Sequence, residues 1–429
     1  MNMNVISQNP ASKIRTPAEN ALLDAFAVRV GDLPGDTEVL SARDNALEAL
    51  KINGLPGRRI ETWHYTDLRT LLRSVAPFDA NVTHKSVAPL LDSSAVLTVA
   101  NGIAQKSVQV EGVRVEAIRD ILGQGIAAHT LKVRGDDDAI GQINAAYASD
   151  GWGLSVADGT ELEQAIELQN LQPSGQSHVR FPVKIGSNVK ATFVERQIGG
   201  EAETFATSVG HVTIADNSEI VWVIVREHTD LSTQLSQINV TIGENSKLIL
   251  FVMNAGGKLV RQEINVDVQG EGSDFQLRTL NLLGGETVTD VTMNVGHLVE
   301  NTTSTEVVRN VVTDKARGIF QGMIRVAQIA QKTDAKMACN TLLLSDDAEF
   351  AAKPELEIFA DDVACGHGAT VREIEKDHLF YLMARGVPEN AARGLLVKAF
   401  IAEVIEELEN EVLVEKLEDI LQSWLEKHA

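Results

Sequence analysis

The stretch ADDVACGHGAT, residues 360–370, sets a thiol, Cys365, and an imidazole, His367, two residues apart, each followed by a glycine. In an extended backbone, residues two apart project to the same face. Both side chains can therefore address one soft or borderline metal ion, or one sulfur species. Two donors make half a site, because a protein-bound metal takes about four. The other cysteine, Cys339, sits in KMACNTLLL, where it reads as a small buried core thiol. The missing donors must come from elsewhere, and a glycine-rich structural turn without a ligand is the bland alternative. Gly366 and Gly368 suit a place where another backbone or a ligand comes close, such as a sheet end or a seam between subunits.

Other chemistries find less support. AGGKL at residues 255–259 lacks the upstream glycine and the Ser or Thr after Lys that a phosphate-binding loop requires, so ATP hydrolysis by this chain is not expected. GxSxG and HExxH patterns are absent. Asp346 with Asp347 and Asp361 with Asp362 are paired acids of the kind a β-helical polysaccharide-cleaving enzyme uses, but adjacent residues on a strand face opposite ways. His64, His178, His211, His228 and His297 show no ligand spacing with one another and read as ordinary.

The chain has 429 residues, 44% of them apolar, with 38 basic against 60 acidic side chains and a formal charge of -22. That charge opposes binding to nucleic-acid phosphates and anionic membranes. Two cysteines cannot build a disulfide framework, and the opening MNMNVISQNPASKIRTP has no apolar stretch resembling a signal peptide. A cytoplasmic protein with reduced thiols is expected. The purely apolar run Ile220 to Val225, as long as any in the chain, is too short to span a bilayer.

The elements that must position the pair fall into three parts. Residues 1–90 read as a helical domain broken at LPG and GLPG, with Leu22, Leu23 and Phe26 on one face and Leu40, Leu47 and Leu50 on another. Trp63 and Tyr65 read as anchors against a neighbouring surface. Residues 91–370 read as strands, with a helical interlude near 140–155. Within them VKIGSNVKATF, VTIADNSEIVW, VTIGENSKLIL and VDVQGEGSDFQL repeat as strand, polar turn, strand, and Ile185, Ile214, Ile242 and Val268 follow at intervals of 29, 28 and 26. Looser echoes start at residues 298 and 329. With Asn188, Asn217 and Asn245 in register at the bends, stacked solenoid coils fit better than an antiparallel sandwich. The repeats are not contiguous hexapeptides, which argues against an acyltransferase solenoid. Residues 371–429 return to helical spacing, with a stop at Gly386, a restart at Pro388 and apolar positions at Leu396, Phe400, Val404, Leu408, Leu417, Leu421 and Leu425. Such a hairpin at the end of a solenoid offers a docking surface.

AKPELEIFADDVACGHGATVREIEKDHLFYLMARGV at residues 352–387, GMIRVAQIAQKTDAKMACNTLLLS before it, and ETWHYTDLRTL near the N-terminus together resemble the SufB/SufD family of iron–sulfur cluster assembly proteins, on its SufD side. The resemblance spans nearly the whole chain. It implies a mainly β protein, a right-handed parallel β-helix flanked by N-terminal and C-terminal helical domains. It further implies a scaffold subunit and not an enzyme, pairing with a SufB-like protein through the β-helix and with a SufC-like ATPase through the C-terminal helices, with a homodimer possible for the chain alone. No cofactor is expected to be held tightly by the isolated chain; a transient iron–sulfur cluster forms in the complex, with His367 first and Cys365 second among its ligands here. The family pattern CSHGAT carries Ser where this chain has Gly366, which removes a hydroxyl and loosens the backbone beside His367. A purely structural adaptor and a carbohydrate-active β-helix are the alternatives.

Overall fold

The computed structural model describes residues 14–79, 83–124, 128–408 and 410–428. The opening segment read above for a leader-like run lies, through residue 13, outside them.

The repeat folds as a parallel β-solenoid of two facing sheets, one of ten strands and one of nine. Strands of about ten residues alternate between the sheets, and each pairs in parallel with the strand one coil away. Ile185, Ile214, Ile242 and Val268 stand in register on four successive strands, all buried. Their side chains form one inward ladder, which is why the spacing was visible. The bends explain the asparagines: Asn188, Asn217 and Asn245 have φ of 57°, 57° and 52°, and the looser echoes place Asn301 at 56° and Lys332 at 62°. Asn tolerates this left-handed conformation better than most residues with a side chain.

The solenoid begins with antiparallel pairing. Ile103–Ala104 folds back on Ala95–Ala100, and Val113–Ala117 on Asp150–Val156. The helical interlude is shorter than expected. A helix covers Ala139–Tyr147, and the DGWG that follows belongs to the strand Asp150–Val156. Gly151 there has φ 147° and lies against the Arg180 carbonyl, a position no side chain could share. The interlude helix is buried on every side, between the N-terminal helices and the outer face of the nine-stranded sheet, so it lacks a polar stripe to mark its end.

The N-terminal helices, Pro17–Arg29 and Thr37–Asn53, cover that face through Leu22, Phe26, Leu47 and Leu50. Val39 takes the buried place expected for Leu40. Trp63 is the anchor the sequence suggested: it is buried, and Arg261 of the sheet lies over its ring at 3.7 Å. Tyr65 contributes its carbonyl, which accepts from Arg317 at 3.1 Å.

Gly386 (φ 88°) ends the helix Lys376–Met383, Pro388 caps Glu389–Glu406, and a second long helix covers Glu411–His428. The long pair is not stacked on the solenoid's end, as expected, but lies along its side. Val397, Ile401, Val404, Leu417 and Leu421 pack on Val223, Val225, Phe251, Met253 and Leu280 of the ten-stranded sheet's outer face. The apolar run Ile220–Val225 is thereby explained. Ile220, Trp222 and Ile224 face the solenoid interior, and Val223 and Val225 face the helices, so both faces of this strand are buried. No helix among the described residues is long and apolar enough to cross a membrane.

Candidate functional site at the open end of the solenoid

The last coil consists of Glu349–Ile358 and Ala364–Glu373, the outermost strands of the nine- and ten-stranded sheets. Each pairs with a strand on one side only, Arg317–Val326 and Asp334–Leu343 respectively. Two adjacent rows of backbone groups are thus left free to pair with another chain.

Register decides where the thiol and imidazole point. Cys365, His367 and Ala369 lie opposite Ala335, Met337 and Cys339, all three of which are buried in the solenoid core. Cys365 and His367 therefore continue the inward ladders at a coil with nothing stacked on it. Cys365 is half-buried against that core, and His367 is exposed. The two sequence-predicted residues share one face and one rim. A Cβ built on Gly366 or Gly368 would meet no atom of this chain within 4 Å, so whatever close approach favours glycine there is not made by the protomer itself.

Burial pushes the Cys365 thiol above its ordinary range, and the nearby charges of Asp334 and Glu306 add to the shift, while a backbone hydrogen bond at Ala335 opposes it. In the lone chain the thiol keeps its proton and is a poor nucleophile and ligand. Cys339 behaves as the core thiol expected of it. Desolvation takes it up to about 12, and the Asn310 amide donates to its sulfur at 3.5 Å.

His178, His211, His228 and His297 are held neutral, pushed down to about 3, 4, 3 and 4, with desolvation the leading cause in each. Among the described residues no group of three or more His, Cys, Asp and Glu could hold a metal ion. The rim pair is thus an incomplete ligand set within this chain. The paired acids lie away from this rim pair on turns and corners. Asp346 and Asp347 lie in a turn, and Asp362 is ion-paired with Lys332 at a coil corner.

Two features escaped the sequence reading. Glu306, in TSTEVVRN, is a carboxyl inside the solenoid; continuing the strand alternation through the looser repeat at residue 298 would have placed it inward with Ser304 and Val308. The second is an interior ladder of amides. Arg226 donates to Asn254 at 3.0 Å, Asn254 to Asn281 and Asn281 to Asn310 each at 2.7 Å, and Asn310 to Thr341 at 3.0 Å. Polar residues at core positions do not announce themselves unless the register is already known.

The helices after the rim strand expose Phe380, Tyr381, Met383 and Leu395, an apolar surface with no cover in this chain.

Comparison with known proteins agrees with this geometry. Residues 168–400 match the family described as SUF system FeS cluster assembly, SufBD core domain, and residues 35–168 match the SufBD protein N-terminal region. Among similar proteins, the iron–sulfur cluster assembly protein SufD of Escherichia coli is 28% identical over 385 residues, covering 86% of this chain and 89% of that one. SufD of Bacillus subtilis is 26% identical over 68% of each chain, and a SufBD family protein of Synechocystis is 25% identical over 87% of this chain and 88% of its own. A two-sheet solenoid with an unpaired last coil, a rim thiol and imidazole, and these matches along most of its length place the chain in the SufBD family of SUF-system iron–sulfur cluster assembly proteins, with SufD among its relatives.

Proposed function

We propose that this chain is the non-ATPase subunit of an iron–sulfur assembly scaffold that pairs with a SufB-like subunit through its open solenoid end. The observation that carries this is the position of Cys365 and His367 on an unpaired terminal strand, facing a coil that nothing covers. A second solenoid adding its own edge there would extend both sheets and complete the ligand set. Iron is substrate in this scheme. An arriving cation favours the thiolate, so Cys365 gives up its proton as it binds, while a neutral His367 nitrogen offers its lone pair.

The C-terminal helices are the docking site for a SufC-like ATPase, with Phe380, Tyr381, Met383 and Leu395 as the exposed contact surface. They are joined to the solenoid by Arg278–Glu407 and by Arg309–Glu403 at 2.5 Å. Movement of the helices is thereby transmitted to strands that lead toward the rim. The work is done in the cytoplasm, where thiols stay reduced.

Coexpression with SufB-like and SufC-like partners, followed by anaerobic purification and assay of iron and sulfide, tests the scheme. His367→Ala should abolish cluster content and leave the complex assembled; undiminished cluster would remove His367 from the role. A chain that only holds its partners together would show full iron and sulfide in both His367→Ala and Cys365→Ser.

A further inference from the structure

Glu306 lies inside the solenoid on the strand Thr303–Val312, in an inward ladder that runs Leu277, Glu306, Met337, His367. It is fully buried, and no well-formed hydrogen bond reaches either carboxyl oxygen. Interiors rarely hold an unpartnered carboxyl, because desolvating it is costly.

Its surroundings are specific. Ser304, on the same strand and inner face, is the first group to favour its charge, followed by Arg278 on the neighbouring strand, while Asp274 opposes it. Met337 is its partner in the next coil, with Ala335 and Cys339 on either side and Cys365 and His367 beyond. The facing sheet presents Val291, Met293, Phe320 and Ile324, which carry no charge. Desolvation dominates and pushes the carboxyl up to about 8, so it is mostly protonated at neutral pH. Its charge is nevertheless felt at the rim, where it acts on Cys365.

We propose that Glu306 is the counter-charge for a cation held at Cys365 and His367, releasing its proton as the cation arrives. The proposal rests on the rim assignment above. Two strand spacings separate the positions of Glu306 and His367, about 10 Å. At an effective dielectric of about 20, each unit of net positive charge gained at that distance lowers the proton affinity of Glu306 by about tenfold. Linkage is reciprocal, so the ionised carboxylate strengthens cation binding by the same factor. The carboxyl O–H bond breaks heterolytically and no electron moves. The proton passes to the buffer, and buried polar groups lie between Ser304, on the same strand, and a coil corner. His297 bonds Ser304 at 3.0 Å and Thr302 at 2.8 Å, and Thr302 lies 3.4 Å from Thr333. Glu306 is a positioning residue in this role, since it touches no ligand atom.

The test uses the coexpressed complex, purified anaerobically, with cobalt(II) as the probe ion. Glu306→Gln should weaken cobalt binding about tenfold near pH 9 and by less than about twofold near pH 6, where the native carboxyl stays protonated and Gln imitates it. Near pH 7.5, calorimetry in buffers of different ionisation heat should find roughly half a proton more released by the native complex than by the variant. Glu306→Ala leaves a packing defect that Gln does not, and should give the same pH-dependent ratio. A loss that is equal at every pH, or no loss at any pH, would overturn the counter-charge and reduce Glu306 to a structural group. Cobalt binding that survives His367→Ala would instead overturn the rim assignment, and the counter-charge with it.

Discussion

Arg261 and Trp63 are stacked, the guanidinium 3.7 Å from the ring centroid, and this contact is one of several that join the N-terminal helical region to the middle of the nine-stranded sheet. Arg261 also donates to Asp290 at 2.5 Å and to the Thr62 carbonyl at 2.8 Å, with both charged side chains fully buried. Asp290 in turn accepts from the Thr66 hydroxyl.

Removing one member of such a buried pair strands the other. Arg261→Ala should therefore cost about 3–5 kcal/mol, because Asp290 is left ionised or must take up a proton in the core. Urea unfolding measures it, and a loss below about 1 kcal/mol would show that the network contributes little.

The bends give a cleaner test. At Asn245, with φ 52°, Val should destabilise by about 1–2 kcal/mol, while Gly should be nearly neutral. Equal effects of the two substitutions on the urea midpoint would mean that side-chain bonds, and not backbone conformation, select Asn there.

Glu306 makes stability depend on pH with a definite sign. Its folded-state value is raised, so below the ordinary carboxyl range both states hold the proton and there is no penalty. As pH rises toward about 8 the unfolded state ionises first, and stability falls by up to about 1.4 kcal/mol per pH unit. Glu306→Gln should abolish that slope and stabilise the isolated chain at pH 8; parallel stability curves for the two proteins would refute it.

The desolvated histidines act oppositely. Those at 178, 211, 228 and 297 are depressed, so stability is present above about pH 6.5 and is lost as pH falls toward 4. His228 is the sharpest case, since neither ring nitrogen has a partner. His228→Leu should flatten the acid side of the stability curve. An unchanged acid slope would mean this ring titrates normally.

Ala369 offers a way to separate assembly from folding. It is exposed on the rim strand, inward of its own register and uncovered. Ala369→Lys should change the stability of the isolated chain by no more than about 0.5 kcal/mol, yet place a charge where a second solenoid would stack. Retention of the SufB-like partner by this variant on size-exclusion chromatography would argue against the open end as the interface.

How much of this was legible depends on which residues see one environment and which see two. Ile185, Ile214, Ile242 and Val268 meet the same interior in every coil, so their recurrence betrayed the solenoid, and Asn188, Asn217 and Asn245 recur because the same backbone angle does. Cys365 and His367 were visible as a pair because alternation alone puts them on one face. Their location on the last coil required knowing where stacking stops. Val221, Val223 and Val225 alternate with inward residues of equal hydrophobicity, so no pattern distinguished the face that receives the C-terminal helices, and the hairpin's place along the side was hidden. Glu306 was hidden for the converse reason: a lone acid in a polar-looking segment resembles a surface residue until its neighbours are known.

The solenoid's two termini are unlike. One begins with chain folded back antiparallel on itself, and the other stops with two bare rows of amides and carbonyls. A body with a single adhesive terminus can join one partner and then has nothing left to offer along that axis. With a partner seated on the open end as proposed, the asymmetry would limit growth to pairs and guard against the fibre that a stack of coils, sticky at both extremities, would otherwise seed.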